Sequence, residues 1–475
     1  MKNKIISAIL CGAMIVGATV SATSCNGKSD KKGENGEISV MLLEKGLGKD
    51  FLNDVADDFY DNTGILVNID SDPSLDEKVK QDMDAEDAQD DIYMVGATYD
   101  WVKWAANGTI EDLTDLCDEE YSDGSTINTK IASSIRNLGK IGDHRFIVQF
   151  SYCPTGIVYN QDMLDDLYKK NIVDSNVFPT TWTGFVKLLK DVSSSNYKYD
   201  GNKVYGMAWG NGEFDLSDTF KTLWAQSNYD KYVEYFEQTE IDESLFVSDE
   251  RIKALEALYD AIDPVNGQSS TSVPQLLAAE HKEGYRAFLR GESLVCFAGT
   301  WFRSEMDANI DEDTFNFRFA PIPAMDGNEI VTNINYPTEY FFIPSNSANK
   351  DKAKQFLKFM FEESNLRKIH SAIQTPLAFE YDMTGLDKSQ WSKDVTASLS
   401  YKNVVSGSTS LYYLVGALRP EIITGYDKMY KGTVTRDKLK TILDSDYETK
   451  RSGWSDKVPL VERYEQIFRQ KGYIR

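Results

Sequence analysis

Apolar residues near the start of the chain alternate between two spacings, one typical of strands and one typical of helices. Residues 38–43 form a short apolar run that predicts a strand, and the apolar residues at 51, 52, 55 and 59 follow helical spacing. Residues 65–69 alternate apolar with polar side chains, which predicts a second strand. The same order returns at 91–95 and 101–106. This β-α-β pattern predicts an α/β fold, with an open and mostly parallel sheet covered by helices on both faces.

A second set of alternating elements follows residue 150. Apolar runs at 156–159, 204–208, 293–297 and 315–320 predict strands. Trp182 opens one predicted helix, and the helix after Asn349 has its apolar residues on one face. The last hundred residues have a largely helical pattern. Two sets of strands in a chain of 475 residues predict two lobes instead of one core.

The N-terminus has the pattern of an export signal. Lys2 and Lys4 precede an uncharged, mostly apolar stretch at 5–20, and small residues then lead to Cys25. This ending resembles the bacterial lipobox, in which the cysteine thiol is acylated and the preceding peptide is removed. Ala22 departs from the pattern, because lipoboxes usually have leucine there. We therefore expect a signal peptide over residues 1–24 and a lipid on Cys25, with a retained transmembrane helix as the alternative.

The residues after Cys25 predict a flexible tether. Residues 26–37 contain no apolar side chain and so cannot bury themselves in a core. With the tether at 25–37, the protein is expected on the extracytoplasmic face of the cell membrane, held by its lipid, with its lobes in water.

The charge of the chain argues against nucleic acid as a partner, and its cysteines argue against a disulfide framework. The chain has 75 acidic and 51 basic residues and a formal net charge of −24, which argues against nucleic acid, since phosphates require an excess of Lys and Arg. Beyond Cys25, the cysteines Cys117, Cys153 and Cys296 are too widely spaced to form a disulfide framework. We expect small buried side chains, although one pair could bond if the fold brings it together.

The sequence contains no motif for a cofactor, a metal or a catalytic nucleophile. Gly46 and Gly48 lack the third glycine of a dinucleotide-binding loop, and no Walker loop, nucleophile elbow or HExxH motif occurs. His144, His281 and His370 are far apart, which predicts neither a metal site nor a Ser-His-Asp arrangement. Pairs of carboxylates must occur among so many acidic residues, so a glycan-cleaving enzyme stays open as the alternative. We expect no catalytic residue, cofactor or metal.

Six segments of the chain form an ordered set of short motifs: Phe59-Tyr-Asp-Asn-Thr-Gly-Ile-Leu-Val67, Asp91-Ile92 with Ala105-Ala106-Asn107-Gly108, Gly156-Ile-Val-Tyr-Asn160, Pro179-Thr-Thr-Trp182 with Phe185, Gly299-Thr-Trp301 with Ala320-Pro-Ile-Pro323, and residues 353–361. This set resembles the extracellular solute-binding proteins of bacterial ABC importers, in the large sugar-binding family that includes maltose-binding protein. The six segments occur in the family's order between residues 38 and 377. Leu42-Leu43-Glu44 departs from the family, because it lacks the tryptophan common in the first strand.

The resemblance implies a two-lobe, periplasmic-binding-protein-like fold in which strand crossovers form a hinge and the ligand lies in the cleft between the lobes. The first lobe is expected to comprise residues 38–150 and 322–346, and the second lobe residues 152–320 and 350–475. Crossovers are expected near 148–153 and 320–323, with a third passage near 345–349. The cleft is expected at loops after the carboxyl ends of strands.

A sugar site needs aromatic rings against the sugar faces and polar side chains around the rim. Trp301 falls on the family's stacking tryptophan, and Glu44 with Lys45 resembles its acid-lysine pair. The other candidates lie beside predicted strands or in the helical C-terminal part: Tyr99, Trp101, Trp209, Asn211, Glu213, Asn335, Tyr336, Glu339 and Tyr412.

Each candidate also has a structural interpretation. Trp301 could belong to the core of its lobe, and Glu44 with Lys45 could form a solvated turn. Only one of Tyr99 and Trp101 is expected to face the cleft. Trp182 is expected to be structural because a helix-start pattern accounts for it, and Trp224 because it lies at helical spacing with Phe220.

These observations lead to one functional hypothesis and two alternatives. The hypothesis is a lipid-anchored, monomeric binding protein that captures a carbohydrate, expected to be an oligosaccharide, and delivers it to the transmembrane permease subunits of an ABC importer. The first alternative is a surface-anchored glycan-active enzyme. The second is the same fold binding a peptide, a polyamine or a phosphate ester.

Overall fold

The computed structural model describes most of the chain beyond the predicted tether. The described residues are 33–44, 47, 50–96, 98–209, 213–236, 240–274, 276, 281–303, 316–334, 336, 338–419 and 424–475. Cys25 and the predicted signal peptide lie outside them, as do Lys45, Asn211, Asn335 and the side chain of Glu213. Within these ranges no helix is both long enough and apolar enough to cross a membrane.

Strands and helices alternate along most of the described chain. The strands are β1 Glu37–Leu43, β2 Leu66–Asp72, β3 Ile92–Val95, β4 Lys140–Ile141, β5 His144–Arg145, β6 Val148–Gln149, β7 Pro154–Asn160, β8 Lys198–Tyr199, β9 Asn202–Lys203, β10 Tyr205–Ala208, β11 Pro264–Val265, β12 Gln268–Ser269, β13 Ser293–Gly299, β14 Phe317–Ala320, β15 Val331–Ile334, β16 Tyr340–Phe342 and β17 Asn403–Val405. The helices are α1 Asn53–Thr63, α2 Leu75–Asp84, α3 Trp101–Asn107, α4 Thr114–Asp118, α5 Ile127–Lys130, α6 Gln161–Lys169, α7 Trp182–Ser194, α8 Glu213–Ser227, α9 Tyr229–Phe236, α10 Asp249–Ile262, α11 His281–Leu289, α12 Lys350–Met360, α13 Glu363–Ile373, α14 Gln390–Ser398, α15 Leu411–Leu414, α16 Tyr426–Tyr430, α17 Lys440–Ser452 and α18 Trp454–Gln470.

The first lobe is built on a sheet with the strand order β2-β1-β3-β16-β6. β1 pairs in parallel with β2 and β3, whereas β16 is antiparallel to both β3 and β6. The predicted strand, helix and strand at 38–69 are confirmed as β1, α1 and β2. Gly64 ends α1 with a φ of 71°, a left-handed conformation that a residue without Cβ adopts without strain.

The second lobe is built on a sheet with the order β10-β13-β7-β15-β17, and β14 also pairs with β7. β10 and β13 are parallel, while β7 is antiparallel to β13, β14 and β15. The strands predicted from the four apolar runs are confirmed as β7, β10, β13 and β14. Gly156 lets β14 approach β7 closely, because a Cβ at this position would lie 2.3 Å from the carbonyl oxygen of Ala320.

Strand crossovers join the two sheets. Residues 150–153 connect β6 to β7 as predicted, and residues 335–339 connect β15 to β16. The second crossover is predicted near 320–323, but the strands on either side of that segment, β14 and β15, both belong to the second sheet. The reason is that β15 pairs with the start of β7 at Thr155 and Pro154.

A third passage between the lobes lies later in the chain than predicted. Leu377 forms a bridge with Ser151 of the first crossover, and Phe379 forms one with Ile131 of the first lobe. Residues 350–373 accordingly pack on the first lobe: the ring of Phe356 in α12 lies 5.3 Å from that of Phe59 in α1. This corrects the predicted boundary, which places these residues in the second lobe.

The remaining cysteines and two of the tryptophans are structural. Cys117, Cys153 and Cys296 are buried and free, and burial raises the pKa of the Cys117 thiol to about 12. Trp182 is buried, and its Nε1 donates to the carbonyl oxygen of Ala257 at 3.0 Å. Trp224 packs edge-on against Tyr232, with ring centroids 4.9 Å apart. The structural interpretation of both tryptophans is confirmed.

A fully buried histidine lies in the helix that leads into the third passage. In α13, Nδ1 of His370 lies 2.8 Å from the hydroxyl of Tyr381, and Nε2 lies 3.1 Å from the carboxylate of Asp387. Burial lowers the pKa of His370 from its usual 6.5, because the imidazolium form is poorly solvated there. The negative charge of Asp387 opposes this effect but is the smaller influence.

We expect the free energy of unfolding to fall as the pH drops below about 6.5, the ordinary pKa of a histidine. The unfolded chain binds a proton in this range that folded His370 does not bind, so acid favours unfolding. A His370→Gln variant should lose this component, which urea unfolding at about pH 7.5 and about pH 5.5 would show. His144→Gln should retain it, because this variant leaves buried His370 and its surroundings unchanged. An unchanged pH dependence in His370→Gln would contradict the prediction.

Candidate functional site

The parallel strands of both sheets end at the edges that the crossovers join. Tyr340 at the start of β16 pairs with Val95 at the end of β3, and Thr155 at the start of β7 pairs with Gly299 at the end of β13. The carboxyl ends of β1, β3, β10 and β13 therefore border the space between the lobes, called the cleft below. Open α/β sheets bind their ligands at such edges.

The predicted site residues of the first lobe follow β1 and β3. Glu44 is exposed at the end of β1, and its Oε2 accepts a hydrogen bond from the hydroxyl of Ser71 at 3.3 Å. Tyr99 is half-buried, and its hydroxyl donates to the carbonyl oxygen of Tyr336 in the second crossover at 2.7 Å. Trp101 is fully buried in α3. Of these two aromatic candidates, it is Tyr99 that contacts the other lobe.

Tyr99 belongs to a cluster of aromatic and cationic side chains that joins the lobes. Its ring lies edge-on to that of Tyr413 at 5.8 Å, and the guanidinium of Arg419 lies 4.1 Å from the Tyr99 ring centre. Tyr413 packs in turn on Phe236 of α9 at 5.2 Å. Stacking of a guanidinium on an aromatic ring is attractive. The predicted candidate Tyr412, next to this cluster, is half-buried.

The sequence gives no signal for Arg419, because no motif surrounds it and its partner Tyr99 lies more than three hundred residues earlier. Only the approach of the two lobes brings this pair together.

Two predicted candidates of the second crossover, Tyr336 and Glu339, are buried. The carboxylate of Glu339 accepts a hydrogen bond from the hydroxyl of Ser151, and it lies 3.5 Å from the sulfur of Cys153. Glu339 has a φ of 41°, a left-handed conformation that is strained for a residue other than glycine. These contacts link the first crossover to the second. Tyr336 is also buried, with its ring beside Gly407.

The two predicted tryptophans of the second lobe differ in exposure. Trp209, after β10, is 1% exposed and stacks on Phe297, with ring centroids 4.6 Å apart. Trp301, after β13, is half-buried, and its Nε1 donates to the hydroxyl of Tyr285 at 3.2 Å. The Trp301 ring lies against Gly299, where a Cβ would be 2.1 Å from Cζ3. This contact requires glycine at the end of β13.

A small cavity lies beside Trp301 at the cleft edge of the second lobe. Its volume is about 10 Å³, which is room for one water. Asp218 and Thr219 of α8 line it together with Thr155 and the Trp301 ring. Asp218 therefore lies on the same small cavity as the half-buried Trp301. The sequence does not indicate this, because the residue lies within a helix without any motif.

A larger groove lies between the two lobes. Its volume is about 570 Å³, and it runs between Ser134 of the first lobe and residues 399–409 of the second. Tyr152 of the first crossover and Tyr229 and Tyr401 of the second lobe line it. A volume of this size is typical of small-molecule sites. Its walls come from distant parts of the chain, so no sequence pattern predicts it.

No group of three or more His, Cys, Asp and Glu side chains is arranged to hold a metal ion in the part of the chain that the structure covers.

Several solved structures share this fold. The solute-binding protein RafE in complex with raffinose matches with a TM-score of 0.60 at 18% identity, covering 87% of this chain and 99% of that one. An ABC substrate-binding protein from Listeria monocytogenes in complex with cycloalternan matches at 0.63 and 17%, covering 88% and 99%. The cyclic alpha-maltosyl-1,6-maltose binding protein from Arthrobacter globiformis matches at 0.62 and 18%, covering 87% and 98%. At these identities the likeness shows the two-lobe fold.

The sequence itself shows the family. No curated protein sequence matches the chain. Residues 45–366, however, match the family described as bacterial extracellular solute-binding protein, and this stretch includes both crossovers and most strands of the two sheets. The chain therefore belongs to the family of bacterial extracellular solute-binding proteins.

Proposed function

We propose that this protein is the carbohydrate-binding component of an ABC importer, which captures an oligosaccharide in the cleft and delivers it to transmembrane permease subunits. The observation that carries the proposal is the half-buried Trp301 at the cleft edge of the second lobe, on a small cavity that Asp218 also lines. The names of the related structures point the same way, since those proteins bind raffinose, cycloalternan or a cyclic maltosyl-maltose.

The geometry around Trp301 suits a sugar. Its hydrogen bond to Tyr285 and its contact with Gly299 hold the indole in one orientation, so little conformational entropy is lost when a ligand stacks on it. A sugar offers C–H groups on its faces and hydroxyls at its rim. The indole matches the faces, and the carboxylates of Asp218 and Glu44 can accept from hydroxyls.

Two lobes joined by crossovers allow the protein to close around a ligand. A ligand that contacts both lobes binds the closed arrangement better than the open one, and binding then shifts the population towards closure. Binding without turnover, a lipid anchor on Cys25 at the extracytoplasmic face and a monomeric state belong to the same proposal.

A thermal-shift screen tests the class of ligand. Oligosaccharides, peptides, polyamines and phosphate esters are added in parallel, and only a ligand that prefers the folded state raises the melting temperature. The proposal expects oligosaccharides alone to do so. A shift with another class would refute the carbohydrate assignment, and cleavage of a bound oligosaccharide on overnight incubation would refute binding without turnover.

Trp301→Ala should weaken oligosaccharide binding by about 1–3 kcal/mol, the usual loss when an aromatic side chain is removed from the centre of a binding site. Isothermal titration calorimetry with the oligosaccharide found in the screen measures this change. Tyr401→Ala is the control, because Tyr401 lines the larger groove and not the cavity beside Trp301. Weaker binding in Tyr401→Ala together with unchanged binding in Trp301→Ala would place the ligand in the groove.

A further inference from the structure

The N-terminal end of helix α18 is anchored on the second lobe. Nε1 of Trp454 donates to the carbonyl oxygen of Ala417 at 3.0 Å, and the Trp454 ring packs edge-on against Phe246 at 5.7 Å. The preceding helix α17 is held by its fully buried Asp446, which lies 3.6 Å from the equally buried guanidinium of Arg251 in α10. The start of α18 is therefore part of the second lobe.

The other end of α18 and the tail 471–475 pack on the first lobe. Nζ of Lys471 donates to the carbonyl oxygen of Ala105 in α3 at 3.2 Å. The ring of Tyr473 lies 4.6 Å from that of His144 and 5.1 Å from that of Phe146. The sequence analysis predicts that residues 350–475 belong to the second lobe. The return of residues 471–475 to the first lobe is seen only in the structure.

Helix α18 runs without a break between these two anchors, and Pro459 inside it lacks the N–H for one backbone hydrogen bond. Its 17 residues extend over about 25 Å at the usual rise of a helix. Val461, Tyr464 and Phe468 are buried at helical spacing, so one face of the helix is covered along most of its length. A helix of this kind does not stretch. A lobe movement that lengthens the distance between the two anchored ends of α18 therefore breaks the contacts at one end.

We propose that helix α18 and the tail 471–475 form a tie that stabilises the lobe arrangement seen in the structure before any ligand binds. The two anchors differ in strength. The second-lobe anchor includes an ion pair with both side chains fully buried, whereas in the tail Lys471 is exposed and Tyr473 is only half-buried. Opening of the cleft releases the tail from the first lobe, while α17 and the start of α18 stay on the second.

The test compares the radius of gyration of ligand-free protein by small-angle X-ray scattering. Deletion of residues 471–475 from the otherwise unchanged chain should increase the radius of gyration, because the open arrangement becomes more populated. Tyr473→Ala should give part of the same increase. Arg475→Ala is the matched control, because Arg475 lies in the same tail and is exposed, and it should leave the radius unchanged.

An unchanged radius in both the deletion variant and Tyr473→Ala overturns the tie, whatever their melting temperatures. An increase of the same size in Arg475→Ala overturns the role of the Tyr473 anchor. If the deletion variant does not fold, the radius of gyration of Tyr473→Ala is the test. An increase supports the tie, and an unchanged radius overturns it. No ligand is present in this test, so its outcome is separate from that of the carbohydrate screen.

Discussion

Replacing Asp446 by asparagine should lower the free energy of unfolding by about 3–5 kcal/mol, the usual cost of removing one partner of a buried ion pair. Both Asp446 and Arg251 are fully buried, with 3.6 Å between the carboxylate and the guanidinium. The amide of asparagine carries no charge, so the buried guanidinium would lose the attraction of this carboxylate. The ammonium of Lys450, whose Nζ lies 2.9 Å from the Asp446 carboxylate, would lose it as well. The large loss of stability comes from the buried charge of Arg251, which no longer interacts with a carboxylate at position 446.

The surroundings of Arg251 leave it little opportunity to adjust. Its guanidinium lies 5.4 Å from the ring of Phe220, 5.5 Å from Trp224 and 5.9 Å from Phe246, and Nη1 donates to the carbonyl oxygen of Phe246. Asp446 also accepts a hydrogen bond from the amide N–H of Thr424 at 3.1 Å. An aromatic enclosure of this kind keeps water away from the arginine.

Urea unfolding of Asp446→Asn measures the loss, and Asp444→Asn in the same helix is the control. The carboxylate of Asp444 is 48% exposed and pairs with Lys440, and such surface pairs contribute about 0–1 kcal/mol. A double variant with Arg251→Met and Asp446→Asn should recover part of the loss, because the buried guanidinium charge is then gone as well. Equal unfolding midpoints for Asp446→Asn and Asp444→Asn would contradict the prediction.

Trp209→Ala is expected to lower the free energy of unfolding by about 3–5 kcal/mol, because it opens a cavity in the core of the second lobe. The indole is 1% exposed and stacks on Phe297 with an angle of 24° between the rings. Removing so large a ring leaves a space that the neighbouring strands β10 and β13 cannot fill without breaking their pairing.

Trp209→Phe is the matched variant, because it keeps an aromatic ring against Phe297 and should retain most of the stability. Thermal and urea unfolding of both variants measure the difference. Trp209 is also a candidate ligand residue, and the same variants address that role. If Trp209→Ala unfolds like the wild type but loses oligosaccharide binding, its ring acts in the cleft and the core assignment is wrong.

Local elements follow from the sequence because their signals lie within a few residues. The apolar run of β1, the helical spacing of α1 and Gly64 between α1 and β2 predict that unit correctly. The first crossover at 150–153 also lies where the family resemblance places it. The spacing of apolar residues and the turn residues determine secondary structure over a few neighbouring residues. The prediction of an element therefore does not depend on which other element it packs against.

The sequence does not indicate in the same way to which lobe an element belongs. The apolar face of residues 350–361 was visible in the sequence, but its partner is α1 of the first lobe. An apolar helix face indicates that this surface is buried in the folded protein. It does not indicate which other element buries it. The same reason explains the second crossover at 335–339, which depends on the pairing of β15 with the distant start of β7.

The sequence by itself determined the α/β class, the positions of most strands and the family of this protein, because these rest on local spacing and short ordered motifs. Only the tertiary structure decided that Trp101 and Trp209 are buried, that Trp301 remains half-buried, and that Tyr99 meets Arg419. It also decided that the C-terminal tail returns to the first lobe. An aromatic residue after a strand suits a core and a cleft equally well, and its exposure depends on segments hundreds of residues away that pack around it.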